Sequence, residues 1–347
     1  MNWFEQEAPQ PSAKYYKLAQ QHQLSLTKPP GSLGQLEEVA CQLAAMQSQV
    51  CPSIDKLYIS IFAGDHGIAK QNVSAFPQSV TTQMIGNFLH GGAAISVLAN
   101  RLNAPFEVIN CGCLTSLEDN KNLVNTPVSQ ATHDFSKQPA MSEAQLLEAL
   151  DVGKSAAERA CASGAQMFIG GEMGIANTTS AAALAAAQLG LPALDLVGPG
   201  TGVTPEVVAH KARVIDTALA QYSFQSPLER LQTVGGFEVA GLVGAYIYAA
   251  QHHLPVLIDG FISTVAALMA ASIQPSVRPW FIFSHASAEP GHQVVLRALN
   301  AKPMLSIGMR LGEGSGAAVV VDLLRSAVAL HNSMATFTGA GVDQKQL

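Results

Sequence analysis

The sequence predicts an α/β protein in which helices cover both faces of a mostly parallel sheet. Five short apolar runs have the length and composition of buried strands: 57–63, 106–110, 166–169, 255–258 and 280–283. Turns rich in glycine or polar residues follow these runs, and most of the turns lead into apolar residues at helical spacing. Strands that alternate with helices in this way are typical of parallel sheets with helices on both sides.

Two stretches at the ends of the chain lie outside this repeat. Apolar residues recur at helical spacing over 15–23 and 33–49, and the C-terminal stretch begins with an apolar run. A chain of 347 residues also exceeds what one core usually supports. We therefore predict a small helical lobe formed by residues 1–52 and 317–347, and a large α/β domain over residues 53–316.

The composition limits the classes of protein to which the chain can belong. Its net charge is −6, its isoelectric point is about 5.9, and its Lys and Arg residues form no cluster. A nucleic-acid-binding protein normally presents a basic face, so we expect no nucleic acid partner. Only 13% of the residues are charged and the mean hydropathy is +0.21, which favours an oligomer that hides apolar surface.

The cysteines and the apolar runs indicate the compartment. The five cysteines are odd in number and include no Cys-x-x-Cys pair, which argues against a disulfide framework and favours the reducing cytosol. The polar N-terminus lacks the features of a signal peptide, and the apolar stretches are interrupted before they reach membrane-spanning length. We therefore expect a cytoplasmic protein without membrane insertion.

Polar side chains follow four of the predicted strands. In open α/β sheets, ligands bind at the carboxyl ends of the strands, because the connecting turns meet there. This coincidence is the main argument from the residues for a binding site at that edge. The polar residues at these strand ends are Asp65, Glu172, Asp259, Ser284 and Ser287.

Glu313 stands between glycines in the segment 309–316, after an apolar run and before a second one. Glycines let a ligand approach the backbone and permit dihedral angles that other residues resist. This pattern favours a carboxylate that is presented to a ligand. A glycine-rich turn with a solvated glutamate would explain the same pattern.

A second glycine-rich loop, 198–202, precedes a predicted helix that contains Lys211. Free backbone amides together with one ammonium group suit a phosphate, and Lys211 is the only cation that we expect near this loop. A helix cap followed by a turn would also explain these glycines.

Several common site motifs do not match. Neither glycine-rich segment has the Gly-x-Gly-x-x-Gly spacing of a dinucleotide site, and no Walker loop is present. The histidines lack the His-x-x-x-His spacing of a metal site, so we expect His66, His285 and His292 to be hydrogen-bonded polar residues. The string around Ser315 lacks the Gly-x-Ser-x-Gly frame of a serine hydrolase.

A series of motifs resembles the nicotinate-nucleotide–dimethylbenzimidazole phosphoribosyltransferase family, which makes the lower-ligand nucleotide of cobalamin. The motifs follow one another in order along nearly the whole chain, which makes the resemblance highly specific. They are 28–34 (KPPGSLG), 63–67 (AGDHG), 171–179 (GEMGIANTT), 235–238 (GGFE), 257–261 (LIDGF), 284–289 (SHASAE) and 310–316 (RLGEGSG).

The resemblance implies a reaction and a fold. The phosphoribosyl group of nicotinate mononucleotide passes to 5,6-dimethylbenzimidazole with inversion, which gives α-ribazole 5′-phosphate and nicotinate. It also implies a homodimer with a Rossmann-like large domain that binds the nucleotide and the base. Nicotinate departs from a cationic ring nitrogen, so we expect neither a cofactor nor a metal.

The resemblance also implies roles for particular residues. Glu313 matches the general base of the family. The positions that match its nucleotide site are Glu172, Gly174, Gly198, Gly200, Thr201, Gly202, Lys211, Asp259 and Ser287. The positions that we assign to the azole pocket are Phe76, Met84 and Leu311, where Phe76 and Met84 offer apolar contact rather than hydrogen bonds.

Two alternatives remain at this point. A pyrophosphate-using phosphoribosyltransferase usually has two adjacent acidic residues after an apolar strand, whereas here only Asp259 follows the strand at 255–258. A non-catalytic relative that binds a nucleotide or an azole would not need Glu313. Turnover separates the second alternative from an enzyme.

Overall fold

The computed structural model describes residues 2–200, 202 and 204–343. Its centre is a six-stranded parallel sheet with the order β3-β2-β1-β4-β5-β6. The strands are β1 (Leu57–Gly64), β2 (Phe106–Gly112), β3 (Leu123–Asn125), β4 (Met167–Met173), β5 (Val256–Ile258) and β6 (Phe281–Phe283). This order is that of the Rossmann fold, in which the chain reverses its direction of progress between the two central strands. The predicted fold class is confirmed.

The sequence predicted five of the six strands. The sixth, β3, is only three residues long and half-exposed, so it has no apolar run that would mark it. It forms because Val108 of β2 pairs with Leu123 at the edge of the sheet. A strand of this kind depends on its neighbour rather than on its own composition.

Helices account for most of the remaining chain. They are α1 (Ala13–Ser25), α2 (Gln35–Met46), α3 (Ser79–Leu89), α4 (Ala94–Leu102), α5 (Glu143–Ala162), α6 (Asn177–Leu189), α7 (Pro205–Leu219), α8 (Pro227–Val234), α9 (Phe237–Gln251), α10 (Phe261–Ile273), α11 (Pro290–Ala298), α12 (Ser315–Ser333) and α13 (Phe337–Ala340). None of the described helices is long and apolar enough to cross a membrane.

Two neighbouring glycines of β4 show that both faces of the sheet are covered. Successive residues of a strand point to opposite faces. The Gly170 side faces Leu242 and Tyr246 of α9, whereas the Gly171 side faces the turn at Glu313. The Gly171 side of β4 therefore lies directly under the turn that carries Glu313.

Helices α5 and α9 cross in close contact because small residues lie at the crossing. A Cβ atom on Gly153 of α5 would overlap the carbonyl oxygen of Gly241 on α9, and one on Gly244 would overlap the carbonyl of Leu150. Close-packed interiors tolerate such overlap poorly. The glycines therefore fix the distance between the two helices.

The terminal segments pack against each other. Helix α2 contacts both α1 and α12. Gln23 of α1 is hydrogen-bonded to His331 of α12 (Nε2 to Nδ1, 2.7 Å), and Leu26 forms an isolated bridge with Thr336. The division into a lobe of residues 1–52 and 317–347 and a domain of residues 53–316 stays a prediction, and residues 344–347 lie outside the described part of the chain.

Candidate active site

A cavity of about 530 Å³ opens at the carboxyl edge of the sheet. Its walls come from the end of β4, the turns after β5 and β6, the start of α6 and the segment before α12. The polar side chains that line it are Glu172, Asn177, Thr178, His285, Ser287, Glu289, Arg310 and Glu313. The carboxyl edge is where the sequence predicted a site.

Glu313 sits at the centre of a strained turn. Gly312, Glu313 and Gly314 have φ angles of 86°, 64° and 76°, and a non-glycine residue rarely adopts such a value. Asp259 fixes this turn: its Oδ2 accepts a hydrogen bond from the Gly314 amide (3.2 Å), and its Oδ1 accepts one from the Ala317 amide (2.8 Å). A carboxylate at the N-terminus of α12 is favourable because free amides and the helix dipole meet there.

Two glycines allow the turn to pack directly on β4. A Cβ on Gly171 would overlap the carbonyl oxygen of Glu313, and one on Gly312 would overlap Oε1 of Glu172. The Glu313 amide donates to Glu172 Oε1 at 3.4 Å. The absence of side chains at these two positions thus holds Glu313 and Glu172 side by side.

The environment of Glu313 makes its carboxylate basic. Burial raises the pKa to about 7, and the neighbouring charge of Asp259 adds to the increase, while the Ile95 backbone amide opposes it. The residue is only 6% exposed, and Oε2 has no hydrogen-bond partner among the described residues. An uncommitted oxygen with a pKa near neutrality suits a general base.

The environment of Glu172 favours the protonated form of its carboxyl group. Burial and, secondarily, the nearby Asp259 raise the pKa of Glu172 well above its ordinary value. Asn177 Nδ2 donates a hydrogen bond to Glu172 Oε2, so the Asn177 side chain is held against Glu172 in the site. The carboxyl group of Glu172 can therefore act as a hydrogen-bond donor as well as an acceptor.

A buried lysine lies behind the glycine-rich loop. Lys211 Nζ donates to Thr178 Oγ1 (3.1 Å) and to the carbonyl oxygen of Gly198 (3.4 Å). Burial lowers the pKa of Lys211 to about 8, whereas the charge of Glu289 raises it. The ammonium group is thus charged at neutral pH and still has a third N–H to offer.

Lys211 is not the only cation at this loop, contrary to the sequence prediction. Arg310 Nη1 donates to the carbonyl oxygen of Gly200 at 3.0 Å. Glu289 also faces the loop, because a Cβ on Gly198 would overlap its Oε2. Lys211, Glu289 and Arg310, which come from three different segments, therefore all contact residues 198–200.

The turn after β6 supplies two further polar residues to the wall. Ser287 is buried, and its amide donates to His292 Nδ1 at 2.8 Å. His285 Nδ1 is hydrogen-bonded to Ser284 Oγ (3.1 Å) and lies 3.9 Å from Asp259 Oδ1. Both histidines have hydrogen-bond partners, as the sequence led us to expect.

The predicted nucleotide residues fall into three groups. Glu172, Gly174, Gly200 and Ser287 line the cavity. Four residues lie outside the lining: Gly198, Gly202, Lys211 and Asp259. Lys211 is hydrogen-bonded to Thr178 and to Gly198, and Asp259 holds the Glu313 turn. Thr201 lies outside the described residues.

The predicted azole residues also separate. Phe76 and Leu311 line the cavity and are 49% and 59% exposed, respectively. Met84 lies on α3, half-buried against the core, and is not part of the lining. Its assignment to the azole pocket stays a prediction.

The sequence motifs contained residues that we did not assign to the site. Asn177 and Thr178 line the cavity at the start of α6, whose cap is Ala176 with a φ of 76°. His285, Glu289 and Arg310 also line the cavity, and each lies inside a motif quoted above. Among the described residues, no group of three or more His, Cys, Asp or Glu side chains is arranged to hold a metal ion.

A Rossmann-like sheet with a carboxylate cavity at its carboxyl edge, next to a glycine-rich loop and a buried lysine, defines an α/β enzyme that acts on a nucleotide. Over residues 8–342, the chain matches the model of the family described as Phosphoribosyltransferase. The chain belongs to this family.

Named relatives agree with that assignment. The nicotinate-nucleotide–dimethylbenzimidazole phosphoribosyltransferase of Pseudomonas fluorescens (strain SBW25) is 54% identical over 335 residues, which cover 96% of this chain and 95% of that one. The enzyme of the same name from Xanthomonas axonopodis pv. citri (strain 306) is 51% identical, with 96% of each chain covered. The crystal structure of CobT from Thermus thermophilus superposes with a TM-score of 0.93 at 41% identity, over 96% of this chain and 100% of that one. The resemblance read from the motifs is confirmed.

Proposed function

We propose that this phosphoribosyltransferase transfers the phosphoribosyl group of nicotinate mononucleotide to 5,6-dimethylbenzimidazole. The products are α-ribazole 5′-phosphate and nicotinate, and the reaction belongs to the synthesis of the cobalamin nucleotide loop. The names of the relatives support these substrates. The observation that carries the proposal is Glu313, whose pKa of about 7 and uncommitted Oε2 suit the removal of a proton from an azole.

The reaction needs a nucleophile, a leaving group and a proton acceptor. One azole nitrogen attacks the anomeric carbon of the ribosyl group, the bond to the pyridinium nitrogen breaks, and nicotinate leaves with the bonding electrons. The second azole nitrogen becomes acidic as the first forms its new bond, and Glu313 accepts its proton. Attack on the face opposite the leaving group inverts the configuration from β to α.

The cavity offers separate ends for the two substrates. Phe76 and Leu311 present an apolar surface at the mouth, which favours the flat azole ring. Lys211, Thr178 and the amides of the loop at Gly200 favour the phosphate. Glu313 lines the same cavity and can accept the proton that the azole releases.

The charge of the site favours the transferred group. As the bond to nicotinate breaks, positive charge develops on the ribosyl ring. Asp259 and ionised Glu313 lie at the carboxyl edge and stabilise that charge. The raised pKa of Glu172 favours its protonated form, which can donate a hydrogen bond to a ribose hydroxyl.

The proposal extends to assembly and location. A homodimer would cover exposed apolar residues such as Phe76, Ile307 and Leu311. Cys111 and Cys113 are buried free thiols, and such thiols persist in the reducing cytoplasm. Sedimentation analysis of the purified protein tests the dimer.

Incubation of the purified protein with nicotinate mononucleotide and 5,6-dimethylbenzimidazole tests the reaction. We expect release of nicotinate that depends on the azole, together with formation of α-ribazole 5′-phosphate. A parallel assay with phosphoribosyl pyrophosphate and nicotinate tests the pyrophosphate-using alternative. Binding of both substrates without turnover would instead identify a non-catalytic relative.

A further inference from the structure

Glu289 is a buried carboxylate in the cavity wall to which the proposed reaction gives no role. It precedes α11, is 5% exposed and lines the cavity. Its Oε2 packs against the Cα of Gly198, and its Oε1 has no hydrogen-bond partner among the described residues. Burial of a polar atom without a partner is costly, so such an atom calls for an explanation.

The surroundings of Glu289 are those of an anion site. The Gly200 amide points towards its carboxylate and, after Lys211, lowers its pKa, and Arg310 acts in the same direction. Burial has the larger effect and raises the pKa above its ordinary value. Within the protein itself, Glu289 is therefore the acidic side chain that faces the two cations.

A phosphate in this place would meet a carboxylate of the same sign. The inference rests on the proposed function, which puts the 5′-phosphate of nicotinate mononucleotide against the 198–200 loop. Like charges at close range favour protonation of one of them, because this removes the repulsion. A protonated carboxyl group can donate a hydrogen bond to a phosphate oxygen, whereas a carboxylate cannot.

We propose that Glu289 binds the substrate 5′-phosphate as a neutral carboxylic acid, through a hydrogen bond from Oε1 to a phosphate oxygen. The charge of Lys211, which acts on Glu289 in the free protein, then acts on the phosphate. One proton passes from solvent to Glu289 for each nucleotide bound. Glu289 is thus a residue that selects for the phosphate and couples its binding to pH.

The charged and titratable groups around Glu289 come from five parts of the fold. Lys211 faces it from α7 and Arg310 from the segment before α12. Its own turn carries His285, and α11 carries His292, whose pKa is lowered to about 3 mainly by burial, so that the ring stays neutral. Glu172 lines the cavity from β4, and burial raises its pKa well above the ordinary value. Glu313 is the remaining group that titrates near neutrality.

Isothermal titration calorimetry with nicotinate mononucleotide, without azole, measures the proton directly. The heat is recorded at about pH 7 in two buffers of different ionisation enthalpy, and the difference gives the protons taken up. The reference variant is Glu313→Gln, because it removes the titration of Glu313. The test variant is the double variant Glu313→Gln with Glu289→Gln, whose amide keeps the size and a donor.

We expect the reference variant to take up at least about half a proton per nucleotide, and the double variant to take up markedly less. The amide imitates the protonated acid, so the affinity of the double variant should depend less on pH. Glu206→Gln in the same reference background is the matched control, because Glu206 is an exposed residue at the start of α7, next to the same loop. It should leave the uptake unchanged.

Three results would overturn the proposal. Equal uptake in the reference and double variants would show that the proton goes elsewhere. An equal loss of proton uptake in the Glu206 control would show that the loss of any negative charge near the loop has this effect. If wild-type protein releases nicotinate and uptake does not depend on Glu289, only this inference is wrong; if no variant, including wild type, binds the nucleotide, the proposed function falls with it.

Discussion

At the scale of single residues, Glu313 shows how a backbone conformation prepares a side chain for proton transfer. Its left-handed φ of 64° costs free energy, which the hydrogen bonds of Asp259 to Gly314 and Ala317 offset. The same bonds hold the carboxylate in a place where burial raises its pKa to about 7. Asp259 therefore acts on the site by holding the turn, without lining the cavity.

Replacement of Glu313 by Gln tests the role of the carboxylate. The amide keeps the size of the side chain but cannot accept the proton, so we expect kcat to fall about 10²–10⁴-fold. Steady-state release of nicotinate measures the change, and circular dichroism checks that the fold is intact. The control Glu206→Gln, on the exposed start of α7, should keep normal turnover. Near-normal kcat in the Glu313 variant would remove it from the role of base.

At the scale of secondary-structure elements, the sequence revealed what each segment contributes but not how segments meet. The strand ends at Glu172 and Asp259 could be predicted because an apolar run followed by a polar turn is a local pattern. The contact of Arg310 with Gly200 joins residues that are far apart in the chain, and no local pattern encodes it. The sequence therefore predicted the turns that form the site. Of its cations it predicted Lys211 but not Arg310.

The start of α6 shows a second limit of prediction from sequence. Asn and Thr are favoured helix caps, and Asn177 and Thr178 stand at the start of α6. Instead, Ala176 adopts a left-handed conformation, and both polar side chains turn into the cavity, Asn177 to Glu172 and Thr178 to Lys211. Asn177 and Thr178, which could have capped the helix, instead contribute their side chains to the binding site.

The crossing of α5 and α9 yields a prediction about stability. Gly153→Ala should destabilise the protein by about 1–3 kcal/mol, because the added Cβ overlaps the backbone of Gly241 and the helices must move apart. Gly86→Ala on α3 is the matched control, since a Cβ there meets nothing within 4 Å. It should stabilise by about 0.5–1 kcal/mol, because alanine loses less conformational entropy in a helix. Chemical denaturation measures both changes, and equal stability of the two variants would contradict the packing argument.

At the scale of the whole molecule, the site brings together acidic side chains and a buried lysine from distant parts of the chain. The acids come from β4, the turns after β5 and β6, and the segment before α12, while the buried lysine comes from α7. Burial acts on all of these groups in the same physical sense, because it disfavours the charged form: it raises the pKa of Glu313 and lowers that of Lys211. The two pKa values thus move towards each other and leave a narrow range in which both groups are charged.

That range predicts a bell-shaped dependence of kcat/KM for nicotinate mononucleotide on pH. Glu313 must be ionised to accept a proton, so activity should be lost as the pH falls through about 7. Lys211 must be protonated to bind phosphate, so kcat/KM should also fall as the pH rises through about 8. Glu313 and Lys211 alone place the maximum between these two values, because kcat/KM reports the ionisations of the free enzyme. Proton uptake by Glu289 on binding would move this maximum to lower pH.

The two limbs can be separated by measuring kcat and kcat/KM across the pH range. At saturating nucleotide, the bound phosphate keeps Lys211 charged, so the alkaline limb should shift upward in kcat relative to kcat/KM. The acid limb should persist in both, since Glu313 acts in the chemical step. Glu206→Gln, which changes an exposed carboxylate near the loop, should reproduce the wild-type profile. A profile that is flat between about pH 6 and 9 would mean that neither buried group controls the reaction.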